Sequence, residues 1–560
     1  MQLSISLIKS TRVTGAPKTN DAAPAAGWWA RGVRLLRPSH AHSAFSASLL
    51  LAGSSVLSSF LGLARGKFIA WLFGAGPQTD AYNAAFRLPD LMNNFLVGGA
   101  VSITFVTLLN RYRENGEEAE GERLVFTVLN LMVLTLSAAC IVLMFLAAPY
   151  IRWTNPGFPA DQVALSAHMT RILLPAQIFL FAGGALGAHL LVRKQFLYQA
   201  ATPIIYNLFI IVSGILLHRR LGVASLAVGA TIGFLIGSFA INAWGVARAH
   251  VRYRWEIDLH HPGLRGWLAM TLPLMIGFGL PFLDPYFTGF YASHGAGDIT
   301  RLANAKQLFS APMSMLAQAA GVASMPFFAQ LWAKDKRYEF ATGVADSVSR
   351  IVALSLLAAS ALIALAQPIV GLVFGGGRFK PSDVSLTALF LAVYAVSLFA
   401  WSAQAIYARA FYAAGITWLP MLASTIILVV AFPLYGIGYR HWGTGGLALA
   451  SDAGILVQAI ILAVLLHKRQ MVSLASLDYV EMGRCLLAGL ASGVVVGGGV
   501  WGVTYALAHS YGAALTHHAR LIDLALLLVG TAAWLGIAKE ILGKSGSALP
   551  RVAMKRLKLG

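Results

Sequence analysis

Within Leu61–Leu96, LGLARGKFIAWLFGAGPQTDAYNAAFRLPDLMNNFL, the charges Arg65, Lys67, Asp80 and Arg87 interrupt two stretches apolar enough to be membrane helices. An ionised side chain in hydrocarbon is costly and needs a partner, a water-filled cavity or an escape to the interface. Arg65 and Lys67 lie more than a turn inside the first stretch from Gly74, too deep to snorkel easily, so both are expected to face an interior cavity. Arg171, Asp284, Lys306, Asp346, Arg350 and Asp452 raise the same question further along. Asp346 and Arg350 stand four apart on one helix face and are expected to pair with each other. Asp80, after the turn GAGPQTD, is expected to cap the second span, a structural or gating role. Around Arg65, Lys67 and Arg87 the evident acids are Asp80 and Asp90, and an excess of cations suits an anionic ligand whose phosphate oxygens arginine can grip in pairs.

The elements that carry these charges are set by composition. Of 560 residues 58% are hydrophobic and 11% charged, and the mean hydropathy is +0.69, which makes the chain a polytopic membrane protein. A net charge of +20 would suggest nucleic acid in a soluble chain. Here Lys and Arg gather between apolar runs, as topology signals do, and no aromatic-interleaved basic motif accompanies them, so no nucleic-acid partner is expected. Cys140 and Cys485 sit in apolar runs without a CxxC, so neither a zinc site nor a disulfide framework is indicated. FGGGRF at Phe374–Phe379 lacks the Lys-Ser/Thr of a phosphate loop, His517 and His518 form a loop pair, and GxSxG and HExxH do not occur. Neither an enzyme nor a metal site is expected.

Residues 1–43 are rich in Ala, Pro, Ser and basic residues, without a signal-peptide core, and read as a disordered basic cytoplasmic tail. Their GWWARGVRLLRP, Gly27–Pro38, could lie on an anionic membrane surface. Beyond it about fourteen spans are expected, roughly at 44–73, 79–112, 122–152, 161–190, 197–218, 222–248, 264–293, 298–332, 338–374, 382–412, 416–438, 444–467, 478–508 and 521–543. Alternate loops hold most of the Lys and Arg, which places both termini in the cytoplasm, with 544–560 a second basic tail. RKQFLYQAATP at Arg193–Pro203 and RAFYAAGITWLP at Arg409–Pro420 each precede a long apolar helix six spans apart. That repeat suggests an N-lobe of six helices at 44–248, a C-lobe at 249–467 and an appended pair at 468–543.

The opening stretch resembles the start of the MurJ/MviN lipid II flippases in Leu61, Gly62, Arg65, the FGAG at Phe73–Gly76, the TDA at Thr79–Ala81 and the AFRLPDL at Ala85–Leu91. A second block, Val373–Gly415, is similar to the family's stretch between spans nine and eleven. The resemblance implies the multidrug/oligosaccharidyl-lipid/polysaccharide exporter fold: an all-α polytopic bundle of two six-helix lobes around a cationic cavity, with two C-terminal helices forming a lipid-side groove. It implies a flippase for lipid II in the bacterial inner membrane, working by alternating access among membrane lipids and beside the cell-wall synthesis or division machinery. Arginines in the cavity would meet the pyrophosphate while the isoprenoid tail stays in lipid. The alternatives are a same-fold exporter of another polyprenyl-linked oligosaccharide and a membrane scaffold that transports nothing.

The chain also departs from the family pattern. Ser59 stands where a second arginine usually precedes LGxxRD, Gly66 replaces its aspartate, Asn93 and Asn94 replace the LLRR pair, and AKQLFSAP at Ala305–Pro312 puts Gln307 at an arginine's place with Lys306 beside it. The expected substrate-binding set is therefore Arg65, Lys67, Arg87, Lys306, Asn93 and Asn94. No cofactor is expected. Coupling to the membrane potential or to a monovalent cation would fall to Asp284 and Asp452, since span eleven lacks the acidic and amide side chains of the family's sodium site.

Overall fold

The computed structural model describes residues 44–547 apart from 95–99, 250, 252, 276–279 and 512–518; the two basic tails therefore fall outside it, save 544–547. The described residues are almost wholly helical and contain no strand beyond an isolated bridge, Gly376 to Phe379. Among the described residues nine helices are long and apolar enough to cross a membrane, or ten if one bent pair counts as a span. Fourteen expected spans are compatible with that number, because several crossings are broken and Trp418–Lys468 holds two helical arms joined at a kink.

The first half of the chain supplies α1 (Ala44–Phe73), α2 (Pro77–Ala85), α3 (Arg87–Met92), α4 (Ala100–Glu114), α5 (Glu118–Thr154), α6 (Ala160–Leu173), α7 (Ala176–Val192), α8 (Phe196–Leu221), α9 (Ala224–Phe234) and α10 (Ile241–Arg248). The second supplies α11 (Pro262–Met275), α12 (Leu280–Ala292), α13 (Asp298–Met313), α14 (Ala319–Ala333), α15 (Arg337–Ala364), α16 (Ala366–Phe374), α17 (Pro381–Val396), α18 (Leu398–Ala413), α19 (Trp418–Lys468), α20 (Tyr479–Tyr511) and α21 (Ala519–Lys544). Short π-helical stretches at Leu235–Ala240 and Ser314–Gln318 interrupt the sixth and eighth crossings.

The breaks have local causes. Pro89 has no N–H to give the carbonyl of Ala85, and Thr170 Oγ1 from α6 donates to that carbonyl instead, at 3.2 Å. The 51 residues of α19 would extend about 77 Å as a straight helix, far more than a bilayer needs. It folds back at Trp442 and Gly443, the latter at φ +57°, and the two arms meet where Gly438 and Gly446 bring their backbones together. Asp346 and Arg350 do pair, at 3.8 Å on an exposed face of α15.

Two cores belong wholly or chiefly to the first half, around Phe105, Phe126 and Phe181 and around Met169, Leu173 and Leu226. Two belong to the second, around Phe328, Phe340 and Phe411 and around Leu357, Leu365 and Trp534. A fifth runs between the halves, with Ala84 and Ile151 packed among Ile299, Phe309, Phe374 and Leu447. The connector before α11 is strapped to α5: Tyr253 donates to Asn130 at 2.6 Å, Asn130 donates to the carbonyls of Arg254 and Glu256, and Arg123 pairs with Glu256 at 2.6 Å.

Candidate functional site

Between the halves lies a cavity of about 560 Å³, walled by α1 to α3 and α8 on one side and by α12, α13 and α17 on the other. Arg65, Arg87 and Lys306 bring the cations, Asp90 and Asp284 the acids, and Tyr82, Asn83, Tyr206, Gln307 and Tyr394 further polar groups. The guanidinium of Arg65 lies 5.6 Å over the ring of Tyr206, and both side chains line the cavity. Arg87 is only 6% exposed: it donates to Asn155 Oδ1 at 2.7 Å, and its carbonyl accepts from the Tyr286 hydroxyl, also at 2.7 Å. Gly289 of α12 lies directly against that guanidinium, so any Cβ there would collide with it.

Lys306 leans on the Tyr394 ring and donates to Asp284, a carboxylate only 2% exposed that also accepts from the Tyr435 hydroxyl. Asp284 thus already holds one full positive charge. Asp452 is 9% exposed, and neither of its carboxylate oxygens receives a hydrogen bond.

One end of the cavity is shut, and Asp80 fastens it. Its carboxylate accepts from Gly297 N at 2.6 Å, Thr300 N at 2.8 Å and Thr300 Oγ1 at 2.7 Å. Asp80 therefore caps α13 in the opposite half rather than the second span, a correction to the sequence reading; its own turn is closed by Thr79, which accepts from Gly76 N at 3.0 Å. Other contacts gather at the same end. Arg378 N donates to the Trp71 carbonyl at 3.0 Å, Gly157 N to Ser293 Oγ at 3.0 Å, and Asn83 Nδ2 to Thr300 Oγ1 at 3.1 Å. Gly74, at φ +73°, lies against the Arg378 carbonyl with no space for a Cβ. Arg301 joins Asp298 and Asp383 at 2.6 and 2.8 Å, and Thr444 donates to Asp298, which locks the second half's side of the closure.

Of the residues expected to bind substrate, Arg65, Arg87 and Lys306 meet in the cavity wall and Lys67, Asn93 and Asn94 do not. Lys67 is two residues beyond Arg65, a turn of about 200 degrees around the helix. Its ammonium points the opposite way and donates to the carbonyls of Leu372 and Val373 at 2.7 and 3.0 Å, sealing the end of α16. Asn93 and Asn94 sit past the Pro89 break at a π-helical turn, where helical spacing from Arg87 no longer predicts their direction. Asp90, three residues from Arg87, keeps that spacing and reaches the cavity. Gln307 and Gly66, both departures from the family pattern, touch: Gln307 donates to the Gly62 carbonyl at 3.2 Å, and a Cβ on Gly66 would lie 3.1 Å from its Oε1. A neutral contact between α1 and α13 stands where two charges were expected.

This arrangement can hold an anion in a polar pocket enclosed by two helical halves, with one end closed. The family model described as "Lipid II flippase MurJ" matches residues 69–515. The chain belongs to this family. Curated relatives include a probable lipid II flippase MurJ of Vibrio cholerae, 24% identical over 81% of this chain and 88% of that protein, and the lipid II flippase MurJ of Burkholderia cenocepacia, 26% identical over 76% and 84%. Among solved structures, lipid II flippase MurJ in an inward closed conformation superimposes with a TM-score of 0.68 at 19% identity, covering 87% of this chain and 99% of that one. An inward-facing multidrug resistance transporter of the MATE family follows at 0.59 and 15% identity, covering 74% and 94%. The fold is therefore that of the flippase family and its exporter neighbours.

Proposed function

We propose that this protein carries lipid II, or a close polyprenyl-pyrophosphate glycolipid, from the inner to the outer leaflet of the bacterial inner membrane by alternating access. The observation that carries the reading is the meeting of Arg65, Arg87 and Lys306, from three different helices of both halves, in one cavity. A diphosphate there gains paired hydrogen bonds from the guanidiniums and a charge-assisted one from the lysine. Family membership supports the identity of the cargo.

The excess of Lys and Arg on alternate loops supports cytoplasmic termini, which makes the closed end that of Asp80 the outer one. The conformation is then one awaiting cargo from within. The test is complementation: the resident flippase of a bacterial host is depleted, this chain is supplied, and lipid II on the outer leaflet is assayed beside an Arg65→Ala/Arg87→Ala variant. Rescue by the wild type alone supports the reading. Normal insertion of the wild type without rescue overturns lipid II as cargo and directs the assay to other polyprenyl-pyrophosphate oligosaccharides.

A further inference from the structure

We propose that Asp452 is a proton-binding site, uncharged in the conformation seen here, and that its proton is linked through the Asp284–Lys306 pair to the charge of whatever occupies the cavity. The inference rests on the proposed function only for the identity of that anion.

Most hydrogen-bond donors around Asp452 are already engaged elsewhere. The groups near Asp452 are Asp284 from α12, Lys306 from α13 and Tyr394 and the following Ser397 at the end of α17; Tyr435, from Asp452's own helix, reaches the same Asp284. Lys306 gives its ammonium to Asp284, and Tyr435 gives its hydroxyl proton to the same carboxylate. Ser397 donates to the Tyr394 carbonyl at 3.0 Å, so its single hydroxyl proton is shared between that carbonyl and Asp452. An ionised Asp452 would thus be a second buried anion near Asp284, whose lysine is already engaged, with only the proton that Ser397 gives to Tyr394 to draw on. A protonated Asp452 removes that charge and supplies the hydrogen that the Ser397 oxygen can take.

Linkage to the cargo follows from the position of Lys306, which stands in the cavity wall with about a quarter of its side chain exposed. An anion entering the cavity draws on that ammonium and weakens its hold on the acids. The acids then bind a proton more tightly. By reciprocity, a proton on Asp452 leaves Lys306 freer for the anion, and loss of that proton to water returns the lysine to two carboxylates. No bond other than that of the exchanged proton changes, and the proton comes from and returns to solvent.

The test uses the full-length protein in lipid nanodiscs and a soluble prenyl diphosphate, farnesyl diphosphate, as probe. Infrared spectra at neutral pH are expected to show the carbonyl stretch of a buried protonated carboxyl in the wild type and to lose it in Asp452→Asn. Where the probe's own ionisation is constant and Asp452 has begun to titrate, affinity is expected to fall toward the linkage limit of about tenfold per pH unit in the wild type and to stay flat in Asp452→Asn. Absence of the carboxyl band in the wild type, or its persistence in Asp452→Asn, overturns the proton site. A present band with pH-independent binding overturns the link to the cavity. A present, Asp452-dependent band with no probe binding at any pH overturns the diphosphate reading instead and leaves the proton site standing.

Discussion

Replacing Asp80 with alanine should open the closed end without unfolding either half. Its carboxylate takes three hydrogen bonds from the first turn of α13, two of them from backbone N–H groups, and the residue is 1% exposed. Hydrogen bonds to a charged group contribute about 1.5–3 kcal/mol each, and a buried donor left unpaired costs about 1–3 kcal/mol. Because water can enter once the end parts, a net loss of about 3 kcal/mol is the reasonable figure, and it corresponds to roughly 150-fold in the closed-to-open ratio. The loss falls on closure, since acceptor and donors lie on opposite halves. Thr300→Val keeps the two backbone bonds but removes both the hydroxyl bond to Asp80 and the one accepted from Asn83, and should shift the ratio about fivefold to thirtyfold, for about 1–2 kcal/mol. Spin labels at Trp153 and Trp442, exposed on either side of that end, report the change as a longer distance population by double electron–electron resonance. Cys140 and Cys485 are buried and interfere little with labelling. An unchanged distance distribution in Asp80→Ala, together with a lowered melting temperature, would refute the reasoning and make the cap a matter of folding.

Gly289→Ala places a methyl group on the Arg87 guanidinium and should abolish rescue in the complementation assay while membrane insertion persists, with a packing penalty of about 1–3 kcal/mol visible in thermal denaturation. Lys306→Met leaves Asp284 buried without its cation and should destabilise the protein by about 3–5 kcal/mol. Adding Asp284→Asn should restore most of the melting temperature but not transport, because the cavity still lacks the lysine. Lys67→Met should lower thermal stability by about 1–3 kcal/mol through the unpaired carbonyls of Leu372 and Val373 and leave the affinity for farnesyl diphosphate unchanged.

Long apolar runs made the crossings readable: the stretch expected at 161–190 is Ala160–Val192 in two pieces, and that expected at 197–218 is Phe196–Leu221. Arg65, Arg87 and Lys306 were equally legible as cavity residues, because a cation within a membrane stretch must face a partner, water or a ligand. Lys67 was misread by treating depth as direction; the 100 degrees per residue of a helix already turns it away from Arg65. Asp80 was out of reach of any local rule, since its partners are more than 200 residues away. The same holds for Asp452, whose character depends on where its neighbours send their protons.

The two appended helices are fastened to one half. Gly489 and Gly493 of α20 let its backbone close on Ser360 of α15, and Trp534 of α21 donates to that same serine at 3.0 Å, while α21 also lies along α16. Small residues at such a seam give close contact over its length. The pair therefore has no independent hinge at this seam and moves as ballast of the second half. A lipid tail resting on it would travel through a rocking cycle in the frame of that half, and the relative motion it feels would come from α1, the helix that carries Arg65.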